Sequence, residues 1–147
     1  MIRTDIDIEI NHPAADVFAY ISNFENNPKW QSGMVDCQFT SEGEFGVGST
    51  YKQIAKFLGR TIESHFEVTA YQPGRTVTAH TTSSTFPIQF TRTVESLDAN
   101  RTRVTAIITG DATGIFKLAE PLLGGMVQRQ IEGDYARLKT ILETQNT

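Results

Sequence analysis

Arg92 stands in the run Ile88, Phe90, Arg92, Val94, where every second residue is apolar except the arginine. On a strand these four side chains share one face, so the spacing sets a permanent cation among apolar neighbours. Inside a cavity that guanidinium would anchor a carboxylate, phenolate or enolate through charge-assisted hydrogen bonds. The structural alternative is a carboxylate partner within the fold, or a long stem that carries the charge to the rim. His65 and His80 are the next candidates, for acid/base work or metal binding. Pairing the flanking strands about Pro73 and Gly74 places Glu67 opposite His80 and His65 opposite Thr82, on the face away from Phe66, Val68, Val77 and Ala79. A solvated face with a surface Glu–His contact is expected there.

Other chemistry has less support. The three histidines lack any recurrent ligand spacing, so no metal is expected. Nucleophilic catalysis would need a Gly-x-Ser-x-Gly elbow or a Cys–His pair, and the sequence offers neither. Asp134 and Glu132 would act as general bases only if turned inward, where desolvation raises a carboxyl pKa. Asp134 lies near the edge of a helical apolar stripe and is expected to face solvent, and Asp111 reads as a turn or helix-start residue. Gly43, Gly46 and Gly48 resemble a phosphate cradle only superficially, because Ser49 to Leu58 after them reads as a strand where the dinucleotide fingerprint needs a helix. No cofactor is expected.

The elements that position these residues follow from periodicity. Ile2, Thr4, Ile6, Ile8 and Ile10 alternate with polar residues, which makes a half-buried strand. Pro13 marks a helix start, with Asn11 or His12 free to cap it, and Val17, Phe18 and Ile21 recur at helical spacing. Asn26, Asn27 and Pro28 then mark a turn or a second short helical piece. From Val35 to Thr109 the period is two, broken by short turns, which implies an antiparallel meander. A final helix is expected from about Phe116 to Glu143, its stripe formed by Val127, Ile131, Tyr135, Leu138 and Leu142. Pro121, Gly124 and Gly125 predict a kink or mobile gate in its first half, and Gly133 predicts either close packing or space left for ligand.

Composition narrows the function. The 147 residues fit one domain, 1–147, with a single core, and a net charge of -4 argues against nucleic acid. Cys37 is the only cysteine, so no intramolecular disulfide can form. Neither a signal peptide nor a membrane-length apolar segment is visible, so a cytoplasmic protein, monomer or homodimer, is expected.

Several segments together resemble the polyketide cyclase/dehydrase branch of the START-like (SRPBCC) superfamily. They are the Ile6 to Ile10 strand, Pro13-Ala14-Ala15-Asp16-Val17-Phe18, Pro28-Lys29-Trp30, Gly46-Val47-Gly48-Ser49, Glu67-Val68-Thr69-Ala70-Tyr71-Gln72-Pro73 and Leu138-Lys139-Thr140-Ile141-Leu142-Glu143. The resemblance implies an α+β helix-grip fold: a bent antiparallel sheet of about six or seven strands around the C-terminal helix, with two short helices near the N-terminus. It also implies a cavity for an apolar or aromatic small molecule, lipid-like or polyketide-like, between sheet and helix. Trp30, Tyr51, Phe57, Phe66, Phe90 and Tyr135 are the candidate aromatic walls, although the same residues serve as core in any such fold. Gln53, Ser64 and Arg92 could add polar contacts, and Met126 and Gln130 complete the candidate lining from the helix. Binding or carriage of an apolar ligand is the first expectation. A cyclase or dehydratase using the same pocket is the second, separated from the first by whether the pocket holds an acid/base group, and a protein-interaction module, favoured by a filled core with an exposed apolar patch, is the third.

Overall fold

The computed structural model describes residues 2–111, 117 and 120–144. Seven strands form one antiparallel sheet in the order β1-β7-β6-β5-β4-β3-β2, built from β1 (Ile2–Ile10), β2 (Met34–Phe39), β3 (Thr50–Phe57), β4 (Arg60–Gln72), β5 (Thr76–Ser83), β6 (Ile88–Asp98) and β7 (Arg101–Gly110). The chain crosses the sheet once, to lay β1 beside β7, and otherwise pairs each strand with the next. Short turns between β3 and β7 account for that meander. Between β1 and β2 lie α1 (Ala14–Ser22), a 3-10 turn (Phe24–Asn26) and α2 (Asn27–Trp30), and α3 (Glu120–Thr144) closes the described chain. This is the expected helix-grip architecture.

Alternation decides which face is buried. In β1, Ile2, Thr4, Ile6 and Ile10 are buried while Arg3, Asp5, Asp7 and Glu9 are not, and Ile6 and Ile10 join Leu138 and Leu142 of α3 in the main core. Twenty-five residues of helix gripped along one stripe bury far more apolar surface than an isolated helix could, so packing stabilises α3 more than intrinsic propensity does.

Local details depart from the sequence reading. Pro13 itself occupies the N-cap of α1 with no side-chain capping bond, and His12, expected as a cap or surface residue, is buried with Nε2 3.5 Å from the Asp16 carboxylate. In β4–β5, Glu67 does face His80, but a register shift after His65 pairs it with Ser83 instead of Thr82. Such a bulge adds a residue to one strand, which periodicity alone does not reveal. The Glu–His contact on this face is His65 Nε2 to Glu63 at 3.0 Å, two residues along one strand. Helix α3 runs unbroken through Gly124 and Gly125, with Pro121 in its first turn, where a missing N–H costs no helical hydrogen bond. Of the expected gate, Phe116, Leu118 and Ala119 lie outside the described residues. Gly133 is exposed, and a β-carbon added there would meet nothing within 4 Å, so it serves neither close packing nor a ligand space.

Candidate functional site

The inner face of β3, β4 and β6, the α2–β2 loop and the middle of α3 line a half-open cavity of about 200 Å³. An engineered apolar cavity of about 150 Å³ holds benzene, so this space suits a flat ligand of one or two rings. All the sequence-derived candidates except Met126 are in its wall. Met126 instead packs against a second apolar cluster of Ile2, Phe86 and Leu123, because it lies on α3 one turn nearer the N-terminus than Gln130.

The aromatic wall is interlocked. Tyr51 stacks on Phe66 with centroids 4.8 Å apart and lies 4.4 Å from Phe24, and Trp30 meets Tyr135 edge-on at 5.0 Å. Each such pair adds about 0.5–1.5 kcal/mol beyond its buried area, so the wall is preorganised. Ser64, on the same face of β4 as Phe66, is committed to Ser84, with the hydroxyl oxygens 2.7 Å apart. Gln130 donates to the Ser32 carbonyl at 3.0 Å and so braces the rim.

Arg92 points inward, and only 5% of it is exposed. Its Nε donates to the Tyr135 hydroxyl oxygen at 2.9 Å and its Nη1 to the Ile21 carbonyl at 3.4 Å. The guanidinium carbon lies 4.4 Å from the Phe90 centroid and 5.0 Å from that of Trp30, within cation–π range. Among the described residues no carboxylate pairs with it, which overturns the structural alternative of an internal ion pair or a rim-seeking stem. A desolvated cation held by neutral groups favours an acidic or electron-rich ligand atom.

Asp134 corrects the sequence reading most. It is buried and lines the cavity, with Oδ1 accepting from the Ser32 amide at 2.8 Å and lying 3.6 Å from Arg137 Nη1. Burial pushes its pKa up to about 6, against the opposing pull of the Ser32 amide and of Arg137 and Arg92. The rim loop that contacts it is shaped by Gly33 at φ +78, where a β-carbon would stand 2.6 Å from the Lys56 carbonyl oxygen. Asn27 was also missed: it is buried in the wall, with Nδ2 3.9 Å from Cys37 Sγ. The Cys37 thiol is pushed up to about 12 by burial and by Asp36 and Glu25, which keeps it protonated and unreactive. Glu132 is exposed, and His65 and His80 lie outside the cavity wall. Among the described residues no three metal-ligating side chains come together, and no helix is long and apolar enough to cross a membrane.

A bent sheet gripping a long helix around an aromatic cavity defines a helix-grip protein. The family described as "Polyketide cyclase / dehydrase and lipid transport" matches residues 1–143, and the chain belongs to it. Solved structures agree on the fold. A START superfamily protein from Mycobacterium smegmatis superposes with a TM-score of 0.81 at 13% identity, covering 98% of this chain and 99% of that one. A Thermus thermophilus protein gives 0.82 at 15% identity, with 99% of each chain covered. The Zhui aromatase/cyclase from Streptomyces sp. R1128 gives 0.79 at 14% identity, covering 99% of this chain and 95% of that one. No curated protein matches the chain by sequence.

Proposed function

We propose that the protein binds an apolar, ring-containing small molecule between its sheet and α3 and sequesters or carries it. The observation that carries this reading is the cavity itself: aromatic walls fixed by mutual packing, with Arg92 held inside as a cation by Tyr135 and the Ile21 carbonyl. Apolar walls supply affinity and the few polar groups supply orientation. Native mass spectrometry of the freshly purified protein tests this. A stoichiometric copurifying ligand supports it, whereas a ligand-free protein that also takes up no added aromatic compound overturns it.

Asp134 favours a second reading, an enzyme of the cyclase or dehydratase type. A carboxyl with its pKa near 6, in the same wall as a guanidinium, can exchange a proton with a substrate while Arg92 stabilises a developing enolate. The enzyme reading needs turnover that Asp134→Asn abolishes without loss of ligand binding. Binding with no turnover in either form leaves carriage as the function.

A further inference from the structure

The β3–β4 hairpin turns on Leu58 and Gly59, at φ +51 and +75. Two successive residues of positive φ make the tight turn that Asn-Gly or Gly-Gly forms without strain, and leucine fits it poorly because its β-carbon crowds the backbone. Among the described residues Leu58 is the one non-glycine with positive φ, yet it is 52% exposed, so neither backbone preference nor burial accounts for it. Val35, at 55%, and Leu122, at 82%, are exposed as well. The three surround one opening. Ser32 and Lys56 are the exposed members of the cavity wall, so the cavity opens where the rim loop that leads to Val35 meets the end of β3 that leads to Leu58. Leu122 precedes Leu123, which shares an apolar cluster with Phe57, the neighbour of Leu58.

Charge decides what this apolar rim meets. Lys56 and Arg60 bracket the Leu58 turn, both exposed, and among the described residues neither side chain makes an ion pair or a hydrogen bond. Arg3, Arg101, Arg103, Arg137 and Lys139, by contrast, each face a carboxylate, in a chain whose net charge is -4. Resting on the cavity reading above, we infer that this face is a docking surface for an anionic lipid bilayer, where Leu58 and Leu122 enter the interface and Lys56 and Arg60 meet anionic headgroups. Apolar side chains beside free cations suit interfacial binding, in which apolar area enters the acyl boundary and the cations are drawn to the negative surface. An acidic protein surface would match the cations but offer the protruding Leu58 no apolar layer. Docked this way, the opening faces the bilayer, and a poorly soluble ring compound passes between membrane and cavity without crossing water.

Flotation with vesicles of pure phosphatidylcholine, and of an equal mixture of phosphatidylcholine and phosphatidylglycerol, tests the surface. The wild type should bind the mixed vesicles about tenfold or more tightly than the neutral ones. Leu58→Asn puts a residue that tolerates positive φ into the turn, so it should be at least as stable as the wild type in urea, yet bind the mixed vesicles about fivefold to tenfold more weakly. Lys56→Gln combined with Arg60→Gln should lose about tenfold or more on the mixed vesicles. Wild-type binding to neither vesicle or equally to both, or binding that either variant retains in full, overturns the docking surface. If poly-L-glutamate competes with the vesicles while Leu58→Asn binds as the wild type does, the face meets an acidic protein instead. These results are separate from the cavity reading, which stands or falls on uptake of 1-naphthol by the protein without vesicles.

Discussion

The Arg92 Nε donates to the Tyr135 hydroxyl oxygen at 2.9 Å, so a cation from β6 and a phenol from α3 meet across the cavity wall. That bond ties sheet to helix and fixes one edge of the guanidinium. Among the described residues, the Arg92 contacts with Tyr135 and Ile21 leave N–H groups without a protein acceptor.

Arg92→Met keeps the bulk of the side chain and removes the charge. Binding of 2-naphthoate should weaken roughly tenfold to a hundredfold, as expected for a hydrogen bond to a charged group, while naphthalene binding changes by about twofold or less. Equal losses for both ligands in a titration would mean that Arg92 shapes the wall without reading charge. Because an isolated buried cation costs desolvation, the variant should unfold at a urea midpoint no lower than the wild type by more than a small margin.

Asp134 predicts a slope in stability against pH. Its folded pKa, about 6, lies above the ordinary 3.8, so between those values the folded state holds a proton that the unfolded chain has lost. Stability from this group is therefore complete below 3.8, falls as pH rises toward about 6, and levels off above. Urea unfolding of wild type and Asp134→Asn across that window should show the wild type losing stability relative to the variant as pH rises. A constant difference would place the carboxyl in solvent.

Gly33→Ala should destabilise the fold by about 1–3 kcal/mol, since the backbone is left-handed there and the new methyl meets a carbonyl. The clash is with Lys56 O, at 2.6 Å, and the Lys56 amide donates back to Gly33 O at 2.8 Å. Relief would move Ser32 away from Asp134, so ligand affinity should fall with stability. A variant as stable as wild type in urea would show that the rim loop yields freely.

What was legible in the sequence was whatever repeats along one element. Ile2 to Ile10 declared a strand because one face is buried, and Arg92 declared itself by breaking an alternation that Phe90 and Val94 keep. Asp134 was illegible because its environment is made by Ser32, about a hundred residues away in the chain and brought close only by the turn at Gly33. His12 was misplaced for the same reason: it is buried where the chain returns, its carbonyl accepting from the Thr102 hydroxyl of β7, 90 residues on, at 2.6 Å. The β4–β5 bulge and the outward Gly133 carry no periodic signature at all.

Occupancy of the cavity is read most directly by Trp30, the only tryptophan, fully buried in the wall and 5.0 Å from Tyr135. Titration with an aromatic ligand such as 1-naphthol, followed by tryptophan emission, should give a saturable one-to-one change. The same titration of Ala55→Leu, which fills part of the cavity, should show affinity reduced by about tenfold or more. Ligand binding that leaves Trp30 emission unchanged, or that Ala55→Leu does not weaken, would contradict a binding site between the sheet and α3.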